Sequence, residues 1–264
     1  MNLERIKQLK RRAIIKTGKA LTRAVDRFLA SQSLIGDAPA FEADQFDWVP
    51  TLEKNYAPIR KEAEKLLQER DLIPAFHEIS PDQTRISKGD HWKTHILYGF
   101  GRRIEQNCAR CPETAKVLES IPGLMTAWFS MIDPGYHIPP HRGPTKSFTV
   151  CHLGLIVPKE KDQCYLRVAD RKLTWEEGKC FVFDDTFDHE VRNDTDEHRV
   201  VLLVHVERPL RWPGKIVSRL MLALIKASPY VKDGIKNMRR WEDRYAAALR
   251  RMENQPVNQD GYNT

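Results

Sequence analysis

The sequence predicts a mainly β protein with flanking helices, in which short strands form a small antiparallel barrel or jelly roll. Six stretches rich in strand-forming residues lie between residues 126 and 206, and Pro, Gly and Asp turns separate them. Before and after this region, apolar residues recur at helical spacing instead. The predicted strands are 126–132, 147–157, 163–168, 172–175, 180–183 and 199–206.

The flanking segments are predicted to be helical, with an irregular stretch over 31–50. Leu3, Ile6 and Leu9 begin an apolar stripe, and Lys and Arg crowd the other face of that segment. The predicted helices are 3–30, 52–69, 112–120, 214–226 and 235–252. These patterns divide the chain into three parts. They are a basic amphipathic helix with its linker (1–50), a β domain with a helical N-terminal part (51–209) and a basic helical extension (210–264).

The composition excludes an integral membrane protein. Charged residues make up 30% of the 264-residue chain, and the mean hydropathy is −0.55. The longest apolar runs, 200–206 and 220–225, are far shorter than the roughly 20 residues of a membrane span. No signal peptide is predicted, and an odd number of cysteines, five, indicates reduced thiols in the cytoplasm. The pair Cys108 and Cys111 has no second pair at zinc spacing, so two free thiols in a helix–loop segment are expected.

The net charge of +7 is concentrated at the two ends of the chain. Residues 1–30 carry a net +7 and residues 208–251 a net +9, whereas residues 31–207 carry a net −7. Basic ends suit an anionic surface, which predicts peripheral association with the inner face of a membrane through 1–30 and 210–251. A solvated helix face or an interface with a partner is the alternative. No nucleic-acid-binding motif is present, so nucleic acid is not an expected partner.

Two histidines lie in sequences that suggest a metal site. His141 follows a Pro-Pro pair and precedes Arg-Gly-Pro, and His189 follows Phe-Asp-Asp-Thr-Phe-Asp. Arg199 begins an apolar strand ten residues after His189. Mononuclear iron oxygenases space two histidines and a basic residue in this way, but their carboxylate ligand would stand at Gly143.

The stretch 122–209 resembles the aspartyl/asparaginyl β-hydroxylases, in which His-x-Gly replaces His-x-Asp. The matching positions run along the whole stretch and continue upstream at Gly89-Asp90, Trp92 and 101–103. They are Phe129-Ser130, Pro134-Gly135, Pro140-His141, Gly143-Pro144, His152 to Leu155, Pro158, Thr174 to Gly178, Phe183 to Asp185, His189-Glu190 and Arg199. The resemblance implies a double-stranded β-helix, iron(II) held by His141 and His189, and 2-oxoglutarate and O2 as co-substrates. It also implies that Ser130 and His152 contact 2-oxoglutarate.

Strand parity places the candidate residues in one pocket. Phe148, Val150 and His152 share one face of their strand, and Arg199 shares a face with Val201, Leu203 and His205. A buried arginine needs an anion, so Arg199 is the candidate for the distal carboxylate of 2-oxoglutarate. The alternatives are a bridge from Arg199 to Asp194 or Asp196, and packing roles for His137, His198 and His205. The resemblance implies that Asp184 and Asp185 do not bind the metal, so they are expected to shape the turn before His189 or to support the metal ligands.

The sequence departs from the family at two positions of the pocket. The family places arginines where this chain has Phe148 and Val150, and such arginines bind acidic groups of the substrate or cofactor. Their loss predicts a less anionic substrate, or a substitute cation such as Arg142, Lys146 or Arg167.

The substrate is predicted to be an acyl chain of a membrane lipid, as in the lipid-hydroxylase branch of the family. The apolar pocket positions and the basic amphipathic ends favour it. The alternative is a peptidyl aspartyl or asparaginyl substrate, which the sequence Thr174-Trp-Glu-Glu-Gly178 favours. A non-catalytic binding module is the third hypothesis, against which the retained histidines, Ser130 and Arg199 argue.

Overall fold

The structure, a computed structural model, describes residues 22–227 and, beyond them, residues 231, 233, 234, 236–238, 240, 241, 243 and 247. The part of the predicted first helix before residue 22 and most of the predicted last helix lie outside the described residues. Within the described part, no helix combines the length and the apolar character that crossing a bilayer requires.

The described strands form two antiparallel sheets. The larger sheet has the order β1-β9-β6-β11-β4-β2-β3, and the smaller has the order β5-β10-β7-β8. The strands are β1 (Ala40–Phe41), β2 (Trp92–Gly99), β3 (Arg102–Arg103), β4 (Leu124–Ile132), β5 (Tyr136–His141), β6 (Phe148–Ile156), β7 (Cys164–Val168), β8 (Arg171–Thr174), β9 (Cys180–Phe183), β10 (His189–Asn193) and β11 (Arg199–Glu207). This arrangement confirms the predicted jelly-roll fold of the double-stranded β-helix type.

Helices lie on both sides of the larger sheet. They are α1 (22–32), α2 (Val49–Lys54), α3 (Tyr56–Gln68), α4 (Phe76–Ile79), α5 (Glu105–Arg110), α6 (Pro112–Glu119) and α7 (Trp212–Ala227). The predicted helix 52–69 is in fact two helices, α2 and α3, which meet at Asn55. Cys108 lies in α5 and Cys111 follows it, and both are buried free thiols, as expected.

The strand β11 shows how side-chain alternation separates the two faces of the larger sheet. Val200, Leu202 and Val204 pack in the cluster beneath the helices, whereas Val201 and Leu203 face the smaller sheet. The same alternation on β6 sends Cys151 and Leu153 toward the helices and Val150 toward the interior. The predicted shared face of β6 and β11 is therefore confirmed, and it lines the space between the two sheets.

Five strands were missed by the sequence prediction, and two of them, β1 and β3, have only two residues each. β2 is buried on both faces and so shows no alternation of apolar and polar residues. β5 contains Pro139 and Pro140, which a strand tolerates because β5 is the edge of the smaller sheet. β10 begins at His189 and carries polar residues throughout, so only its pairing with β5 and β7 defines it.

Candidate active site

A cavity of about 550 Å³ lies between the two sheets. It follows β11, along which Arg199 stands at the start and His205 near the end, so these two residues are roughly 20 Å apart along the strand. We call the part lined by Ser130, His152 and Arg199 the arginine end. We call the part lined by Phe100, Phe148, His205, Leu224 and Met238 the apolar end.

The two predicted metal ligands line the same cavity, and His189 interacts electrostatically with both His152 at the arginine end and His205 at the apolar end. His141 on β5 and His189 on β10 are paired in register, and their ring centroids are 4.1 Å apart. The Nδ1 atom of His141 lies 2.9 Å from the Pro139 carbonyl, and that of His189 lies 3.0 Å from the Phe187 carbonyl. Because each Nδ1–H donates to a carbonyl, each Nε2 keeps its lone pair for a metal ion.

Both imidazoles are held neutral, which metal binding requires. Burial and, to a smaller extent, the neighbouring His141 lower the pKa of His189 to about 4. Burial also lowers the pKa of His141. Among the described residues, no group of three His, Cys, Asp or Glu side chains is placed to hold a metal ion. An ion at this pair would therefore complete its coordination with water or co-substrate.

A carboxylate from the turn between β9 and β10 packs against Gly143, the position of the missing carboxylate ligand. A Cβ atom added at Gly143 would overlap the carboxylate of Asp185, and the Gly143 N–H donates to the Asp185 carbonyl over 2.6 Å. The carboxylate is buried, and its Oδ1 has no hydrogen-bond partner in the described structure. Burial, followed by the charge of Asp184, raises the pKa of Asp185 to about 8. Glycine at 143 is thus required by the packing of Asp185.

Asp184 is structural, in agreement with the expectation that it shapes the turn. Its fully buried carboxylate accepts hydrogen bonds from Lys146 over 2.7 Å, from Thr186 over 2.6 Å and from Arg208. Lys146 also pairs with Asp37 over 2.6 Å. Lys146 is therefore not a substitute cation in the cavity, and that alternative is wrong.

The arginine end contains a buried cation without a carboxylate partner among the described residues. Arg199 is 1% exposed, and its guanidinium lies over the ring of Trp175 at 4.7 Å. Its hydrogen bonds go to the carbonyl and hydroxyl of Ser130, at 3.3 and 3.5 Å, and its Nε has no partner. Burial lowers the pKa of Arg199 to about 10. The alternative bridge to Asp194 is wrong, since that carboxylate lies 3.7 Å from Arg192 instead.

His152 presents a free hydrogen-bond donor to the same end of the cavity. The Nε1–H of Trp175 donates to His152 Nδ1 over 3.3 Å, so the hydrogen of His152 stands on Nε2. That Nε2 is buried and has no partner in the described structure. Burial and the charge of Arg199 lower the pKa of His152 well below its usual value. Two unsatisfied buried donors, on Arg199 and His152, fit an anionic ligand.

Two tryptophans orient these polar residues, and sequence reasoning assigned neither of them a role. Trp175 supports both His152 and Arg199, and Trp92 donates its Nε1–H to the Ser130 hydroxyl over 3.0 Å. Both residues belong to motifs that match the family, and this match was the signal in the sequence that could have pointed to them. Their roles depend on contacts between strands that are distant in the sequence.

The remaining candidate cations and histidines lie in different places. Arg167 pairs with Glu190 over 2.6 Å and with Asp188 over 3.0 Å, so it does not replace the family arginines. Arg142 is exposed and lines the cavity. His137 pairs with Glu190 and His198 lies 3.3 Å from Asp133, as expected for histidines with packing roles. His205, in contrast, lines the cavity between the rings of Trp128 and Phe148.

The fold and the site together define a class: a jelly-roll protein whose interior holds a pair of neutral imidazoles and a buried arginine. The family model for the aspartyl/asparaginyl beta-hydroxylases matches residues 53–209, more than half of the chain. The chain belongs to this family, which supports a hydroxylase activity.

Two relatives represent two branches of the family. The chain is 40% identical over 222 residues to the ornithine lipid ester-linked acyl 2-hydroxylase of Rhizobium tropici, with 84% of this chain and 79% of that protein covered. It is 35% identical over 173 residues to the human aspartyl/asparaginyl beta-hydroxylase, with 64% of this chain covered. The matched region spans only 22% of the human protein.

Solved structures of cupin domains show low similarity to this chain. A cupin domain of a transcriptional regulator from Enterobacter cloacae gives a TM-score of 0.31 at 9% identity, covering 44% of this chain and 96% of that one. The Cnp3 cupin domain of Schizosaccharomyces pombe gives 0.27 at 12% identity, covering 35% and 67%. The fold assignment rests on the strand order described above.

Proposed function

We propose that this protein is an iron(II)- and 2-oxoglutarate-dependent dioxygenase that hydroxylates an acyl chain of a membrane lipid at the cytoplasmic face of the membrane. One observation carries the proposal. A single cavity contains the histidine pair, a buried Arg199 without a carboxylate partner among the described residues at one end, and apolar walls at the other end. One end fits a dicarboxylate co-substrate, and the other fits a hydrocarbon.

The residues present fit the proposed cofactors. The Nε2 atoms of His141 and His189 would hold iron(II), and the guanidinium of Arg199 would pair with the distal carboxylate of 2-oxoglutarate. When bound, iron(II) and 2-oxoglutarate activate O2, one oxygen atom entering a C–H bond of the substrate and the other entering succinate as CO2 is released. His152 would donate its Nε2–H to the co-substrate, and Ser130 would share the carboxylate with Arg199.

The walls of the apolar end support a lipid substrate. Phe148 and Val150, which replace the family arginines, both line the cavity there. Beyond them the lining continues with Leu224, Ile225, Val231 and Met238, which follow residue 209, where the family match ends. The similarity to an ornithine lipid acyl hydroxylase covers more of this chain than the similarity to the human peptidyl enzyme.

A peptidyl aspartyl or asparaginyl substrate is the second candidate. The motif containing Trp175, together with the match to the human enzyme, favours it. Such a substrate would bring a carboxylate or amide into the apolar end, where Phe148 and Val150 offer no partner. Arg85 and Arg142, which line the cavity and are exposed, would suit an anionic group at its mouth.

The test is succinate release by the full-length chain with iron(II), 2-oxoglutarate and O2. The assay compares a lipid carrying long acyl chains with a peptide containing Asp and Asn. We expect succinate in proportion to a lipid product that is heavier by one oxygen atom. Product from the peptide alone would overturn the lipid assignment. Succinate from neither substrate, together with no 2-oxoglutarate binding, would favour a non-catalytic module.

A further inference from the structure

The described parts of the two basic ends of the chain meet on one surface. The Arg211 N–H donates to the Gln32 carbonyl over 2.9 Å, and the Leu34 N–H donates to the Pro209 carbonyl over 2.9 Å. A Cβ atom added at Gly214 would lie 2.6 Å from the Cβ of Gln32, so α7 crosses the end of α1 closely. The described part of the N-terminal basic segment and the start of the C-terminal one therefore form a single surface.

An apolar stripe runs along the outer side of α7. It consists of Trp212, Ile216, Leu220 and Leu224, which are 73%, 57%, 64% and 63% exposed. Residues four apart lie on one side of a helix, so these side chains form a continuous band. Of the six large hydrophobic side chains that are exposed among the described residues, this stripe holds four, and the other two, Phe28 and Leu34, lie in or beside α1. Such a concentration marks an interaction surface.

Cations flank the stripe. Arg211, Lys215, Arg219 and Lys226 are all exposed, and residues 208–227 contain no Asp or Glu. Arg23 and Arg27 are exposed on the adjoining α1. Residues 31–207, which lie between the two basic ends, carry a net charge of −7. An anionic bilayer would therefore attract the α1–α7 surface and repel the rest of the molecule, which fixes one orientation.

The stripe reaches the cavity. Leu224 belongs to the exposed stripe and also lines the apolar end. On its buried side, α7 packs Leu222 against Phe148, which lines the same end. The helix that would lie on the membrane thus borders the opening through which an acyl chain would enter.

We propose that α7 lies in the interface of an anionic bilayer, with its apolar stripe below the headgroups and its cations among them. In this orientation an acyl chain of the bilayer enters the cavity directly, next to Leu224. The docking stands on the stripe and the charges alone, whereas the entry of an acyl chain rests on the proposed lipid hydroxylation.

The docking is tested by sedimentation of the full-length protein with vesicles. The vesicles contain phosphatidylcholine alone or phosphatidylcholine mixed with phosphatidylglycerol. We expect binding to the mixed vesicles that salt weakens. The variant Trp212→Gln/Ile216→Gln/Leu220→Gln should bind at least about tenfold more weakly. None of these three residues lines the cavity, and all are exposed, so the fold should be retained.

A matched pair of variants isolates the contribution of charge. Lys215→Gln/Arg219→Gln should weaken binding about fivefold for each cation removed. Lys61→Gln/Lys116→Gln, which removes the same charge from exposed positions on α3 and α6, should leave binding unchanged. Equal binding by both double variants, or unchanged binding by the triple variant, would overturn the docking. A triple variant that changes only from dimer to monomer would assign the stripe to a second copy of the chain, and that result also overturns it.

A turnover measurement separates this inference from the proposed function. The triple variant should hydroxylate lipid in vesicles at least about tenfold more slowly than the unmodified protein, and the same lipid in detergent micelles at an equal rate. Equal rates in vesicles would contradict entry beside α7 while leaving lipid hydroxylation standing. Vesicle binding that depends on α7, without hydroxylation of any lipid, would leave the docking standing and overturn the proposed function.

Discussion

The arginine end and the apolar end of the cavity are built from different parts of the chain. Ser130, His152 and Arg199 stand on three adjacent strands of the larger sheet, within the region that the family model matches. The apolar end is completed by α7 and later residues, outside that region. In the proposed function, the strands of the matched region would hold the metal ion and the co-substrate, and segments beyond that region would complete the substrate site.

The polarity of the two ends differs in the same way. Buried donors on Arg199 and His152 lack partners at one end, which is costly unless a ligand satisfies them. At the other end, the rings of Trp128 and Phe148 both contact the ring of His205, and burial holds that imidazole neutral by lowering its pKa to about 3. The histidine pair between the ends is where the two ligands would meet.

The largest effect is expected from the histidines that separate the ends. His141→Ala and His189→Ala should each weaken iron binding by more than about a hundredfold and abolish turnover, because only two protein ligands are available. Metal content after dialysis, measured by mass spectrometry, checks this. His137→Ala is the matched control, since His137 pairs with Glu190. Iron content near that of the control in either variant would refute the assignment.

The next effect concerns the arginine end alone. Arg199→Ala should raise the KM for 2-oxoglutarate about thirtyfold or more, because a buried charge pair loses one partner. The apparent affinity for the acyl substrate should change much less. Asp194→Ala serves as the control and should leave both constants unaltered. If the two variants instead lose stability equally and keep their KM values, Arg199 has a structural role.

A third prediction concerns the packing beneath the histidine pair. Gly143→Ala should lower the free energy of unfolding by about 2 kcal/mol, because its methyl group would overlap the Asp185 carboxylate. Asp185→Ala should restore most of that loss when combined with Gly143→Ala. Chemical denaturation of the two single variants and the double variant measures the coupling. Additive losses would show that the two residues do not compete for space.

A fourth prediction concerns the apolar end. Val150→Arg restores the arginine that the family places there, and it should lower turnover of an acyl substrate about tenfold or more by burying a charge beside hydrocarbon. Val150→Met keeps the wall apolar and serves as the control. Steady-state kinetics with the acyl substrate and with an Asp-containing peptide would measure this loss and reveal any increase in turnover of the peptide. Faster acyl turnover by Val150→Arg would contradict an apolar binding site.

The smallest expected effect concerns the exclusion of water from His205 at the apolar end. Burial lowers the pKa of His205 to about 3 in the folded protein. In the unfolded chain, the same histidine takes up a proton near the usual pKa of histidine. Stability should therefore fall as the pH drops below about 6.5, and the unmodified protein should lose about 1 kcal/mol relative to His205→Phe by roughly pH 5.5. Denaturation at several pH values measures this difference. A constant difference would show that water reaches the ring.

The sequence predicted the arginine end better than the apolar end, for a physical reason. Strand parity and matched motifs placed His152 and Arg199 in one pocket, because alternation is a local property of a strand. The contacts of Trp175 with His152 and of Asp185 with Gly143 join separate strands, so spacing did not reveal them. The convergence of α1 and α7 depends on long-range packing, and the sequence showed only that both segments are basic.

The most direct test of the account is the fate of isotopically labelled O2. Cells producing the full-length chain, or its His141→Ala variant, would be supplied with the labelled gas, and their lipids analysed by mass spectrometry. The account predicts labelled hydroxyl groups on acyl chains that depend on His141. Acyl chains without label, while Asp or Asn residues of cellular proteins carry it, would contradict the account.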